Sequence, residues 1–334
     1  MSEERVLLAH GDGGELMGEL VERVFVSRLG TGEPPGDDSA RLEGRGELVF
    51  TTDAFVVDPI FFPGGDIGKL AVCGTVNDLA AAGARPLALS ASFILEEGLL
   101  ISDLERVVNS MARAAEEAQV RVICGDTKVV PRGSADRVYI STSGVGALPE
   151  GVDTSGAGAK AGDVVLVSGP VGDHGLAVLS RREGLEFESE IVSDCAPLAG
   201  MVGELLRATP GVHALRDPTR GGLATALNEI ARQSRVEIEI EESAVPVRES
   251  VAAACELLGL DALYAANEGK MIVVVEEARA ESALRALRSH ALGREAAIIG
   301  RVVDGEKGRV LMKTALGTRR ILDRHVGEQM PRIC

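Results

Sequence analysis

Asp66-Ile-Gly-Lys-Leu-Ala-Val-Cys-Gly-Thr-Val-Asn-Asp-Leu-Ala-Ala-Ala-Gly83 is a mainly apolar run that closes on a glycine suited to a left-handed C-cap, and it predicts a helix over 66–83. Before it, Glu47-Leu-Val-Phe-Thr-Thr-Asp53 reads as a strand, and after it Pro86 to Leu95 reads as another. A strand, an apolar helix and a second strand in that order indicate a mixed α/β unit. Upstream, Leu16, Leu20, Val21, Val24 and Phe25 recur at helical spacing across Glu15 to Leu29. Downstream, Ser102-Asp-Leu-Glu105 has capping-box order and predicts the start of a helix over 104–118. Strands over 120–124 and 137–144 complete the unit.

The Gly/Ala/Ser-rich stretch from Gly151 to Gly162 reads as a linker, and the same alternation resumes beyond it. Strands are expected over 163–168, 236–240, 271–275, 297–303, 309–312 and 319–322, with helices over 175–182, 197–207, 222–233, 250–258 and 279–289. The fold class is α/β, of α+β character, with two mixed α/β domains. The expected boundaries are 1–155 and 156–322, followed by a tail over 323–334.

A length of 334 residues fits two domains at roughly 100–200 residues each. The 35 Lys+Arg against 51 Asp+Glu leave a net charge of −16 with no basic stripe, which argues against a nucleic-acid ligand. With no Trp and 3% aromatic residues, platforms for stacking single-stranded bases are scarce too. No apolar run approaches the roughly 18 residues of a membrane span, and Met1-Ser2-Glu3-Glu4-Arg5 lacks a secretory pattern, so a cytoplasmic location is expected. Cys73, Cys124, Cys195, Cys255 and Cys334 form no C-x-x-C pair, which disfavours zinc, dithiol redox work and a disulfide framework.

Neither a P-loop nor a G-x-G-x-x-G fingerprint is present. Acidic residues instead recur at turns and element ends, in Gly36-Asp37-Asp38-Ser39, Thr51-Thr52-Asp53, Asn77-Asp78, Gly125-Asp126-Thr127-Lys128 and Arg216-Asp217-Pro218-Thr219. Such carboxylates suit Mg²⁺, which takes one or two of them and completes its shell with water and phosphate oxygens. Asp and Asn also cap helices and close turns without binding anything. Glycine-rich loops at His10-Gly-Asp-Gly-Gly14, Ser168 to Gly175 and Thr219-Arg-Gly-Gly222 offer backbone N–H groups to an anion, or simply pack. Glu268, before the strand Met271 to Val275, is a candidate general base, and Lys128 can pair with Asp126 or touch a phosphate.

Past Leu322 the sequence loses its periodicity and reaches Pro331-Arg-Ile-Cys334. Nine extended residues from Val326 span roughly 30 Å at about 3.3 Å each, so a tail that carries the thiol of Cys334 can swing as a nucleophile or carrier.

These motifs, together with Thr51-Thr-Asp-Ala-Phe-Val-Val-Asp-Pro59, Phe93-Ile-Leu-Glu-Glu-Gly98, Gly172-Asp-His-Gly175, Val192-Ser-Asp-Cys-Ala196 and Ala266-Asn-Glu-Gly-Lys270, give a resemblance over essentially the whole chain. The sequence resembles the HypE family of hydrogenase maturation factors, carbamoyl dehydratases in the superfamily of aminoimidazole ribonucleotide synthetase and selenophosphate synthetase. The resemblance implies a homodimer whose N-terminal domains share a β-barrel, with ATP near that interface. It implies Mg²⁺ and phosphates held by Asp38, Asp53, Asp78 and Asp126, with Asn77 and Asp217 also lining the nucleotide site. A HypF-type carbamoyltransferase would load Cys334, Lys128 would stabilise phosphate or oxyanion, and Glu268 would remove a proton. Cyanide would pass to an iron-carrying complex of the HypC–HypD type. The rivals are a small-molecule kinase or synthetase of the same superfamily and a non-enzymatic thiol carrier.

Overall fold

The computed structural model describes residues 4–11, 15–29, 46–185, 191–324, 330 and 332–334. Asp38, part of the His10–Gly14 loop and half of the tail lie outside them.

The chain forms helices α1 (Glu15–Leu20), α2 (Ser27–Leu29), α3 (Ile67–Ala81), α4 (Ile101–Glu117), α5 (Asp173–Glu183), α6 (Ala199–Ala208), α7 (Gly222–Ser234), α8 (Glu249–Leu258) and α9 (Ala280–Ser289). Strands β1 (Leu48–Phe55), β4 (Arg85–Glu96), β5 (Arg121–Val130) and β6 (Val138–Ala147) form a four-stranded sheet in the order β1-β6-β4-β5, and β2 (Phe61–Phe62) pairs with β3 (Gly65–Asp66). Strands β7 (Val164–Val167), β8 (Val212–Arg216), β9 (Glu237–Glu241), β10 (Ile272–Val275), β11 (Ala297–Val303), β12 (Arg309–Lys313) and β13 (Arg319–Ile321) form a seven-stranded sheet in the order β13-β12-β9-β11-β7-β10-β8. The two mixed α/β units expected from the alternation are both present.

Helix α3 is the hinge pin of the fold. Asp66 caps it, its carboxylate accepting from the N–H groups of Gly68 and Lys69 at 2.8 and 3.1 Å. The helix is apolar on nearly every side because the four-stranded sheet, α4 and α6 all pack on it. Gly68 meets α4 at the Val107 carbonyl, where a Cβ would come within 2.2 Å, so any other residue would push the two helices apart.

The four-stranded sheet turns one face to α3 and leaves the other open. On β1, Thr51, Asp53 and Phe55 face inward, while Leu48, Phe50, Thr52 and Ala54 are exposed. Phe50 is 68% exposed, and Ile94 on β4 continues the same open face. Among the described residues the sheet does not close into a barrel.

Two expectations are corrected. Helix α4 begins at Ile101, ahead of the Ser102 capping box: its N-cap is Leu100, and the Ile101 N–H reaches the Glu4 carbonyl at 2.9 Å. A backbone partner from the start of the chain replaces the side-chain cap. The Glu15–Leu29 helix contains a π-helical stretch over Val21–Val26. The 151–162 linker carries no regular element, yet Thr154 stitches it to both units by donating to the Ala81 carbonyl at 2.8 Å and accepting from the Leu215 N–H at 3.1 Å. Strand β8 has no counterpart among the expected elements. No helix among the described residues is long and apolar enough to cross a membrane.

Candidate functional site

The open ends of β1, α3 and β8 converge on one cleft of about 550 Å³, lined by Thr51, Asp78, Thr154, Arg216, Asp217 and Arg220 among others. Asp53 projects from the inward face of β1, Asp78 from the last turn of α3, and Asp217 from the residue that follows β8. Thr51 donates to Asp78 at 2.7 Å. Burial, reinforced by Asp78, pushes the Asp53 carboxyl up to about 6. Burial and then Asp78 push Asp217 up to about 7. Asp78 is also raised, chiefly by burial, with Thr51 and Arg216 opposing.

Burial opposes ionisation of all three carboxyls, with Asp78 adding its charge at Asp53 and Asp217, and this oxygen donor set fits a hard divalent cation. No group of three His, Cys, Asp or Glu side chains among the described residues forms a complete cage. An ion bound here would therefore draw further ligands from water or from a phosphate, as Mg²⁺ commonly does. At the rim Arg216 pairs with Glu229, and Arg220 leads into the double glycine Gly221-Gly222 at the start of α7. Both glycines have left-handed backbones, with φ of 75° and 60°.

Glu268 lies within electrostatic reach of Asp217 and Asp53. It is 2% exposed, and its Oε1 has no hydrogen-bond partner. Burial, then Cys195, Asp217, Asp194 and Asp53, raise its carboxyl well above the ordinary range. Asp194 anchors the loop that carries it, accepting from the N–H groups of Glu268 and Gly269 at 3.0 and 3.2 Å and from Lys270 Nζ at 3.0 Å. Burial opposes ionisation of Asp194, but Lys270, His174 and the Glu268 N–H outweigh it and hold the carboxyl below its usual value. Gly269 is required, because a Cβ there would lie 1.8 Å from the Asp194 carbonyl.

The last residues of the sequence dock against this wall. The Arg332 carbonyl accepts from Arg182 Nη2 at 2.6 Å and from the Asp58 N–H at 3.2 Å, and its guanidinium pairs with Asp136 at 2.7 Å. Ile333 is 3% exposed. Cys334 packs against the same apolar cluster as Cys73, Cys195 and Ala266. Burial, then Glu268, with Asp53 and Asp217 adding and Arg220 opposing, pushes its thiol up to about 12. Docked and unmodified, the sulfur is a neutral thiol facing a base and an acidic cleft.

Asp53, Asp78, Asp217, Glu268 and Cys334 are thus brought together. Asn77 is spent elsewhere: its amide donates to the Ala196 and Glu268 carbonyls, both at 3.1 Å, and its carbonyl accepts from the Leu198 N–H at 2.8 Å. It clamps the two units and does not face the cleft. Asp126 and Lys128 lie on β5, the far edge of the sheet, exposed and paired with each other at 3.1 Å. Strands β6 and β4 separate them from Asp53 in the same chain, in the row Ala54–Ser141–Ser92–Asp126. Asp38 lies outside the described residues. Sequence reading missed Asp194, Lys270 and Asp58 as site supports. The Asp194 side chain is 3% exposed and Lys270 9%, a burial that no local sequence pattern signals.

The N-terminal domain model of AIR synthase related proteins matches residues 36–148, and the C-terminal domain model matches 160–313. Carbamoyl dehydratase HypE of Rhodobacter capsulatus is 52% identical over 341 aligned residues, covering 100% of this chain and 99% of that protein. A crystal structure of hydrogenase maturation protein HypE in complex with ATP is 51% identical with a TM-score of 0.93, covering 98% of this chain and 99% of that one. HypE in a crystallised HypE–HypF complex is 50% identical with a TM-score of 0.82, covering 93% and 100%. With half its residues shared over full length, and with that fold, the chain belongs to the HypE family of carbamoyl dehydratases.

Proposed function

We propose that this chain uses ATP to dehydrate a carbamoyl group carried on Cys334, leaving a thiocyanate whose cyanide serves [NiFe]-hydrogenase maturation. The observation that carries this reading is the docking of Cys334 beside the unpartnered Glu268 and the carboxylates of the cleft. The relatives named above, one in complex with ATP and one with HypF, support the nucleotide and the HypF-type carbamoyltransferase as partner.

Arg220 suits phosphate oxygens at the mouth of the cleft, while the Gly222 N–H is spent on the Thr219 carbonyl at 2.9 Å and shapes the turn. Asp53 and Asp78, with Asp38 and Asp126, are assigned to Mg²⁺, and Asp217 supports the same site. When bound, Mg²⁺ supplies the positive charge that phosphoryl transfer needs in an acidic cleft. The docked tail presents the carboxamide oxygen of the Cys334 adduct to the γ-phosphorus, and ADP leaves. One nitrogen proton is released to solvent as the O-phosphorylated imidate forms, Glu268 takes the second as the C–O bond breaks with phosphate as leaving group, and sulfur retains a nitrile. Carboxamide plus ATP thus gives thiocyanate, ADP and phosphate. A carboxyl held above its ordinary range is a stronger base than a surface glutamate, which suits it to this proton.

Asp126 and Lys128 enter the reading through the dimer. The open face with Leu48, Phe50 and Ile94 is assigned to pairing of two N-terminal sheets into a shared barrel, which brings the β5 edge of one protomer to the cleft of the other. There Lys128 stabilises phosphate or oxyanion. The product goes to an iron-carrying complex of the HypC–HypD type, in the cytoplasm. Intact-mass measurement after incubation with a HypF-type carbamoyltransferase, carbamoyl phosphate and ATP tests the reaction: one carbamoyl group on Cys334, then loss of one water. An adduct that never loses water in the presence of ATP refutes it.

A further inference from the structure

His174 has no part in the chemistry above, yet it holds the last peptide bond before the reactive sulfur. We propose that His174 is the positioning residue that latches the C-terminal segment, its Nε2–H gripping the Ile333 carbonyl so that Cys334 stops at one place in the cleft. The inference rests on the carrier role of Cys334.

The ring lies in the first turn of α5, is fully buried, and stacks edge-on against Phe62 with centroids 5.3 Å apart at 90°. Nε2 is 3.0 Å from the Ile333 carbonyl oxygen, and Nδ1 is 2.8 Å from Ser193 Oγ. The Ile333 carbonyl can only accept, so Nε2 carries the proton, and Nδ1 of the neutral ring then accepts from the Ser193 hydroxyl, whose oxygen also accepts from the Cys195 N–H at 3.1 Å. The Ser193 donation holds the ring in this tautomer, the one that donates to the tail. Burial, against the pull of Asp194, pushes the imidazole below its ordinary value and keeps it neutral.

The grip has a specific consequence because the peptide between Ile333 and Cys334 is planar. Fixing its carbonyl fixes the direction of the whole unit and leaves only the Cys334 torsions to place sulfur. Arg182, Asp58 and Asp136 hold Arg332, one residue further from the sulfur. His174 contacts backbone and not the thiol, so the latch works whatever the sulfur carries.

The test uses the full chain with His174→Phe, which keeps a ring against Phe62 but has no donor, and His174→Gln, which restores a terminal N–H. Iodoacetamide modification of Cys334, followed by peptide mass spectrometry, is expected to quicken about fivefold or more in H174F, the scale set by leaving a buried acceptor unpaired. H174Q is expected to return towards wild type. Single-turnover water loss from preloaded carbamoyl-Cys334 should slow in H174F by a similar factor, while loading by the carbamoyltransferase is not slowed. Wild-type alkylation and dehydration rates in H174F, or equal impairment of H174F and H174Q, would overturn the latch. If H174F does not fold, Ser193→Ala, which frees the tautomer but keeps the ring, decides: faster alkylation supports the latch and an unchanged rate refutes it. Alkylation reads docking without the carbamoyl chemistry, so a wild-type adduct that never loses water instead removes the carrier reading on which the latch rests.

Discussion

Asp217→Asn should raise the stability of nucleotide-free, metal-free protein above neutral pH, by an amount set by the cleft. Folding lifts this carboxyl from 3.8 to about 7, so the native state keeps a proton that the unfolded chain has released. The stability carried by that proton is complete below about pH 4 and is lost as pH rises through about 7. From pH 5 to pH 8 the loss approaches two units at about 1.4 kcal/mol each, hence about 2–3 kcal/mol for this one group. Asparagine cannot ionise, so the variant lacks that slope and also the repulsion of an ionised Asp217 by Asp78 and Asp53. With unfolding entropy near 2.1 cal/mol/K per residue, 334 residues convert the difference to about 3–4 °C. Melting curves in EDTA at pH 5, 6, 7 and 8 are the assay. Wild type should fall relative to D217N as pH rises, the gap opening mainly between pH 5 and 7. Parallel curves, or a D217N protein that melts below wild type at pH 8, would refute the reasoning.

Cys334→Ala should leave the Mg-ATP-induced rise in melting temperature intact and abolish the carbamoyl adduct in intact-mass spectra. Glu268→Gln should accumulate the adduct and lose water from it about 100-fold more slowly or worse, the usual worth of a general base. Because the Glu268 carboxyl is raised and acts deprotonated, single-turnover dehydration should fall off on the acid side at a pH above its ordinary value of 4.5; a limb at that ordinary value contradicts the assignment. Phe50→Asp, on the open sheet face, should shift the protein from dimer to monomer in light scattering; an unchanged mass removes the proposed pairing surface.

Much of this was legible in local sequence. The apolar run closing at Gly83 is α3, and the alternation on either side of residues 151–162 is two sheets. Of the carboxylates expected at element ends, Asp78 does lie in the last turn of α3 and Asp217 just past β8, whereas Asp53 lies within β1, on its inward face. Failures came where a distant partner decided the outcome. The capping box at Ser102 lost to the Glu4 carbonyl, which satisfies the helix start from 97 residues away. Asp126 and Lys128 look adjacent to the other acids in motif, but strand order is a property of the whole sheet and sets them at its opposite edge. Nothing near Asn77 tells that its amide is saturated by backbone from residues 196, 198 and 268.

That saturated amide limits how the enzyme can breathe. Prising the two units apart would strand one side-chain carbonyl, both N–H bonds of the amide and the buried backbone groups they serve, at roughly 1–3 kcal/mol for each unpaired group. Hinge bending of whole domains is therefore a costly route into the catalytic chamber. In the proposed reaction the short carboxy-terminal strap would carry the traffic instead, giving up the buried Ile333, the His174 and Arg182 hydrogen bonds and the Cys334 seat at each release, while the chamber itself stays rigid.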